Sequence, residues 1–189
     1  MSKLKSQHGQ GLLEAVFAIG ILLMVAGAIL ALATANTVGQ KASEFQIRAN
    51  NLAREGIEVV RSIRDANWLA GEDWDTGLIG QTAVAQFQFD PVTYDSTWQL
   101  DFTPGADDTL YLDLSTGVHS HSAGGQRTVF QRTIAIEEIC LDTTTGEESI
   151  ETTCVGQDKI GLRVTSTVAW PERGRNNEIS LEDLLYAWK

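Results

Sequence analysis

From Leu12 to Ala35 the chain carries a single charged side chain, Glu14, in an otherwise apolar run. About 20 apolar residues at about 1.5 Å each span the hydrocarbon of a bilayer, so this run predicts a membrane-crossing helix. Lys3 and Lys5 precede it and the next base is Lys41. That bias keeps the N-terminus cytoplasmic and places the polar chain outside. An ionisable group inside such a segment is costly and marks a functional position. Two readings stand at this level: a signal peptide or plain anchor whose Glu14 snorkels to the interface, and a segment in which Glu14 is functional. A secretory signal peptide puts its small-residue cleavage site after the apolar run. Here the small residue, Gly9, comes before it, and polar sequence follows Ala35.

Beyond Ala35 the pattern turns amphipathic. Val38, Ala42, Phe45, Ala49, Leu52, Gly56, Val59 and Ile63 step by alternating fours and threes, the spacing of one helical face. Glu44–Arg48, Arg54–Glu58 and Arg61–Asp65 place opposite charges four apart on the wet side. The expectation is one helix from about Leu12 to Ala66, near 80 Å long, its first half in the membrane and its second packed on another element. A two-stranded coiled coil is the other use for this stripe. Gly39 and Gly56 each weaken the helix by about 1 kcal/mol relative to Ala.

Asn67 to Gln81 reads as a loop anchored by Trp68 and Trp74. Period-two alternation follows in Phe87 and Phe89, in Trp98, Leu100 and Phe102, and in Leu110, Leu112 and Leu114, the mark of half-buried strands. Pro104 to Asp108 is a turn. Thr128–Leu141 predicts a longer strand. Ile160, Leu162, Val164, Val168 and Trp170 alternate up to Pro171, which is expected to stop the strand. Arg173 to Asn177 reads as a turn, and Ile179 to Trp188 as a last strand or short helix. One long helix followed by antiparallel strands gives an α+β class.

About 120 residues follow the helix, enough for one modest globular domain. The net charge of −11 disfavours nucleic acid and anionic lipid as direct partners. Arg127 with Arg132, or Arg173 with Arg175, would supply small local basic patches. Cys140 and Cys154 are too few for a four-thiolate zinc site; in an oxidising compartment they suit a disulfide worth about 3 kcal/mol, and otherwise are two buried thiols. His119-Ser120-His121 reads as a solvated loop before it reads as half a metal site. Seven acids and no base lie between Arg132 and Lys159. The segment from Asp142 to Glu148 is a solvated acidic loop with calcium as the rival reading. No nucleophile elbow, phosphate loop, dinucleotide fingerprint or His-Glu-x-x-His occurs, so no catalytic residue, metal ligand set or cofactor is identified.

Lys3 and Lys5, then Gly9, Gln10, the pair Leu12-Leu13 and Glu14 together form an arrangement that resembles the leader of type IV pilins and of type II secretion pseudopilins. The resemblance implies cleavage by a prepilin peptidase on the cytoplasmic side between Gly9 and Gln10. It also implies N-methylation of Gln10 and a role for Glu14, fifth in the mature chain, in subunit assembly. Gln10 stands where the family usually has Phe, and Gly11 where Thr or Ser is common. Losing Lys3 and Lys5 with the leader takes the side-chain charge from −11 to −13. A softer similarity to minor pilins lies in Leu52–Glu58 with Arg61–Asp65, and in Val168-Ala169-Trp170 with the basic turn and apolar segment after it. Residues 70–130 carry nothing specific to the family.

The implied fold is pilin-like α+β, a long N-terminal helix packed on an antiparallel sheet. Its implied parts are a leader (1–9), a transmembrane and assembly half-helix (10–35), an amphipathic half-helix (36–66) and a β-rich globular domain (67–189). The implied function is that of a minor pilin or pseudopilin, a filament subunit that is a substrate of two enzymes and not an enzyme. Its implied partners are the prepilin peptidase, an inner-membrane assembly platform, other pilin subunits through the N-terminal helix, and the membrane, with no direct nucleic-acid contact. The implied location is the cytoplasmic membrane with the C-terminal domain outside, then a filament. The alternative is a single-pass, membrane-anchored binding or adhesin domain that is neither cleaved nor assembled.

Overall fold

The computed structural model describes residues 8–90 and 95–187, with side chains for 11–88 and 96–187. Residues 1–7, among them Lys3 and Lys5, and Trp188 at the end of the expected last segment lie outside the described residues. The first element, α1, is a single 63-residue helix, His8–Ala70. It runs one turn past the end expected near Ala66, so Trp68 belongs to the helix and the loop begins at Gly71. The stop is a glycine cap. The Glu72 N–H bonds the Asn67 carbonyl at 3.0 Å and the Gly71 N–H bonds that of Trp68 at 3.1 Å. Gly71 adopts the left-handed φ of 76° that this paired pattern requires. The Asn67 side chain then holds the loop by donating to the carbonyls of Trp74 and Thr76.

The chain divides into two compact units, one ending at Phe45 and one starting at Gln46. In the first, apolar side chains from Leu12 to Leu32 stand exposed, Met24 at 76% and Leu12 at 71%. In the second, the C-terminal part of α1 lies on an antiparallel sheet whose strands are β1 (Thr82–Asp90), β2 (Asp95–Asp101), β3 (Thr109–Leu112), β4 (His119–Ser120), β5 (Gln126–Leu141), β6 (Glu148–Glu151), β7 (Asp158–Glu172) and β8 (Arg175–Tyr186). The described residues form an α+β fold of one long helix and an antiparallel sheet.

The 16-residue β5 is the spine of that sheet. From Gln131 to Leu141 one edge of β5 pairs with β7, which pairs in turn with β8. The other edge pairs successively with β3, β1 and β6, while β4 extends β3 and β2 extends β1. Burial alternates with period two along β5 and β7. Phe130, Arg132, Ile134 and Ile136 are buried on one strand, and Leu162, Val164, Ser166, Val168 and Trp170 on the other. A register shift between Ile139 and Cys140 breaks the alternation, so Glu138, Ile139 and Cys140 are all buried in succession. From α1, Ala49, Leu52, Ala53, Gly56, Ile57, Val59 and Val60 are buried, with Ile63 half-buried. The stripe from Ala49 onward is thus covered within the chain by its own sheet, which leaves no coiled-coil seam there.

Several local expectations are corrected. Arg61 pairs with Glu58 at 2.7 Å and with Asp183 of β8 at 2.5 Å, while Asp65 pairs with Arg64. Long-range contact with β8 draws Arg61 off the expected helical pair. Leu114 lies in a turn after β3 and is 75% exposed. Pro171 does not end β7, which continues to Glu172 opposite Arg175. The turn that follows is only Arg173-Gly174, so Asn176 and Asn177 are strand residues, and the last segment is strand as far as Tyr186.

Candidate functional site

Gly9 and Gln10 fall in the first turn of α1, and Glu14 follows Gln10 by four residues, one turn further along the same face. The first turn contains no acidic residue, and the Glu14 side chain is exposed. Around it Leu12, Leu13, Val16 and Phe17 are 59–71% exposed. The helix is long and apolar enough to cross a membrane, and none of its most apolar stretch is buried. Apolar area left uncovered on this scale needs a non-aqueous partner, because each Å² kept from water is worth about 25 cal/mol. A carboxylate among such side chains is stabilised there only by a partner charge or by reaching the interface.

The globular unit holds a second polar cluster, which the sequence assigned to the surface. Arg132, expected to join Arg127 in a basic patch, is 0% exposed on the helix-facing side of β5. Its Nη1 donates to the Leu52 carbonyl at 3.1 Å and meets Glu55 Oε1 at 3.3 Å. Burial pushes the guanidinium below its ordinary value, and the Glu55 carboxylate opposes that shift. Arg127, Arg173 and Arg175 are exposed.

His121 is also buried, against the expectation of a solvated loop. Its Nδ1 lies 2.7 Å from the Ala85 carbonyl oxygen on β1 and its Nε2 lies 3.0 Å from that of Arg132 on β5. A neutral ring has one N–H, so it donates to one of these two carbonyls and ties the segment after β4 to that strand. Burial lowers the imidazole below its ordinary 6.5, and the two carbonyls pull the other way. His119, on β4 itself, is half-buried and is lowered mainly by burial.

The acidic loop is a hairpin turn between β5 and β6. Asp142 Oδ1 accepts the N–H groups of Thr144 and Thr145, and the Gly146 N–H closes the turn on the Asp142 carbonyl at 2.7 Å. These contacts use the Asp142 carboxylate to order backbone. Among the described residues no group of three or more His, Cys, Asp or Glu side chains is placed to hold a metal ion. Cys140 near the end of β5 and Cys154 after β6 form a disulfide, with Cα atoms 5.5 Å apart. Beside it the Cys154 N–H donates to Glu138 Oε2, and Glu138 shares Lys159 with Asp75. Trp74 packs on the core with Lys159 5.5 Å from its ring centroid. The loop from Gly71 is thereby tied to the disulfide-bearing corner of the sheet.

Comparisons of the chain with protein-family models, with curated proteins and with solved structures give no match.

Proposed function

We propose that this chain is a minor pilin or pseudopilin, a structural subunit cleaved between Gly9 and Gln10 and built into a filament through its N-terminal helix. The observation that carries the reading is the pairing of one exposed carboxylate, Glu14, with a long uncovered apolar face, in a helix whose later part docks on its own sheet. A plain anchor needs the apolar face but has no use for a carboxylate within it. A filament subunit uses both: the apolar face packs first in lipid and then on neighbouring helices. Cleavage frees an amine at Gln10, and Glu14 of an adjacent copy neutralises it, which removes two unpaired charges from an apolar surrounding. The globular unit is then the part displayed outside, and the prepilin peptidase, an N-methyltransferase and the assembly platform act on the first unit.

The test is the N-terminal mass of the protein recovered from membranes, with and without Gly9→Ala, in cells with an active prepilin peptidase. A mature chain starting at methylated Gln10, abolished by Gly9→Ala, is the expected result. An intact terminus at Met1 or Ser2 sinks the reading in favour of an uncleaved, membrane-anchored binding domain.

A further inference from the structure

We propose that Lys159 and Asp75 form a side-chain amide, an isopeptide bond, with Glu138 as the acid–base residue that makes it. Lys159 Nζ on β7 lies 2.7 Å from Asp75 Oδ2 and 3.0 Å from Glu138 Oε1, so two carboxylates meet one nitrogen. One carboxylate already neutralises an ammonium, and a plain salt bridge leaves the second acid without a purpose. The choice of base is equally particular. From Gln46 to Trp188 the chain has nine Arg and one Lys, and that Lys is residue 159. A guanidinium stays protonated and can only pair, whereas an amine that gives up its proton is a nucleophile.

Each group is held where the reaction needs it. Asp75 lies in the loop after α1, between the Trp74 and Thr76 carbonyls that accept both hydrogen bonds of the Asn67 side chain. The Leu78 N–H closes a turn on the Asp75 carbonyl at 2.8 Å. The register shift in β5 leaves Glu138 buried beside Cys140. Its Oε2 accepts the Cys154 N–H at 2.7 Å, and its Oε1 is turned to Lys159. The Trp74 ring, 5.5 Å from Nζ, lays apolar surface beside the amine. The side chains of Glu138 and Lys159 are 12% and 20% exposed, so little water competes for their protons. Holding amine and carboxyl in contact makes the condensation unimolecular. Glu138 Oε1 takes a proton from the ammonium, and the freed electron pair on Nζ attacks Asp75 Cγ. A C–N bond forms. Glu138 then passes its proton to a carboxyl oxygen, which leaves as water with a second proton from Nζ as the C–O bond breaks. Lys159 and Asp75 end as a neutral amide, Glu138 ends as the carboxylate it began, and nothing is oxidised or reduced. The bond ties the loop after α1 to β7, next to the Cys140–Cys154 disulfide.

Intact-mass spectrometry tests the bond on the full chain, purified folded in detergent and then reduced and denatured. The unaltered protein is expected to be lighter by one water molecule than its sequence, counted from whichever N-terminus the chain carries. A protease digest should give one branched peptide that joins Asp75 to Lys159 and that no thiol separates. Lys159→Arg and Asp75→Ala should each restore the full mass. Glu138→Gln should do the same in a protein whose circular dichroism matches the parent. Asp75→Asn should lose ammonia in place of water, because the leaving group changes with the side chain. Should Glu138→Gln fail to fold, the mass and the branched peptide of the unaltered chain carry the decision. The full sequence mass in the unaltered chain, a branch at any other pair of residues, or a water loss that survives Lys159→Arg or Glu138→Gln overturns the proposal.

Discussion

Gly56 on α1 faces Ser166 on β7 so closely that a Cβ on the glycine would stand 2.4 Å from the serine Oγ and 3.2 Å from its Cβ. The helix can lie on the sheet here only because residue 56 has no side chain. Gly56→Ala is therefore expected to destabilise the globular unit by about 1–3 kcal/mol, the cost of overpacking, although alanine is the better helix former by about 1 kcal/mol. Ser166→Ala should recover part of that loss in the double variant, a coupling visible in a urea-unfolding cycle. Gly39→Ala, where an added Cβ meets nothing within 4 Å, should leave stability unchanged or raise it.

Glu14 carries the sharpest prediction of the filament reading. Glu14→Ala removes the one charge from the apolar segment, so membrane insertion and cleavage after Gly9 should persist or improve. Incorporation into filaments should fall severely, because the Gln10 amine of the neighbouring subunit loses its counter-charge. Counting mature subunit in sheared filaments against the membrane pool measures this, and undiminished incorporation would remove Glu14 from the assembly mechanism.

His121 predicts a loss of stability on mild acidification. Burial holds its ring below the ordinary 6.5, so below about that pH the unfolded chain takes up a proton that the folded chain resists. Stability contributed by the neutral ring is thus present above 6.5 and declines as pH falls below it. Denaturant midpoints at pH 7.5 and 5.5 should differ in that sense. His121→Gln, which keeps a donor for one of the two carbonyls and does not titrate, should flatten the difference while lowering stability at both.

A second acid transition is expected lower down. The carboxylates of Asp101, Asp107, Asp113 and Asp142 accept hydrogen bonds from residues Thr103, Thr109, Ser115 and Thr144 respectively, which hold each below the usual 3.8. Depressed carboxylates stabilise the fold above their unfolded value, and that contribution disappears as pH falls through the folded ones. Paired Asp113→Asn and Asp142→Asn changes should make unfolding between pH 4 and pH 2 (about the range spanned by such shifted carboxylates) less steep. An unchanged pH profile would show that these turns carry no linkage.

The Cys140–Cys154 disulfide closes a short loop at a sequence separation of 14. Replacing both cysteines with Ser is expected to cost about 3 kcal/mol by the loop-entropy model. The comparison of reduced and oxidised melting points of the unaltered protein should give the same order. Reduction without effect would place the restraint in the Glu138–Lys159–Asp75 contacts instead.

What could be read along the chain was whatever repeats over short distances. The stripe from Ala49 to Ile63 and the alternation from Ile160 to Trp170 announce one helix and one strand because burial recurs at 3.6 and 2 residues. Gly9, Gln10 and Glu14 form a local pattern for the same reason. Arg132 and His121 were missed because their burial rests on partners 80 and 36 residues away, Leu52 and Ala85, and a charged or polar residue in isolation reads as surface. Two local signals do stand in the sequence. Gly71 marks the end of α1. Asp113-Leu-Ser-Thr-Gly117 repeats as Asp142-Thr-Thr-Thr-Gly146, and in both the glycine N–H returns to the aspartate carbonyl. That repetition identifies the second stretch, read as a solvated acidic loop with calcium as the rival, as a turn.

The position of β5 also sets the order in which the molecule can be completed. Its neighbours on one edge, β1 and β3, are made before it, but β7 and β8 come after, and Leu185 near the end of β8 is part of the core that covers Ile57 and Val60. The last closing contacts of α1, Gly56 with Ser166 and Arg61 with Asp183, thus wait on residues more than a hundred positions downstream, which makes folding slow compared with local helix formation. While the tail is still emerging, the buried stripe of α1 is an exposed adhesive surface, and a chain cut short before β8 would leave the part covered by Leu185 open. Quality control that removes such chains has an unambiguous mark to recognise: an uncovered stripe on an already formed helix.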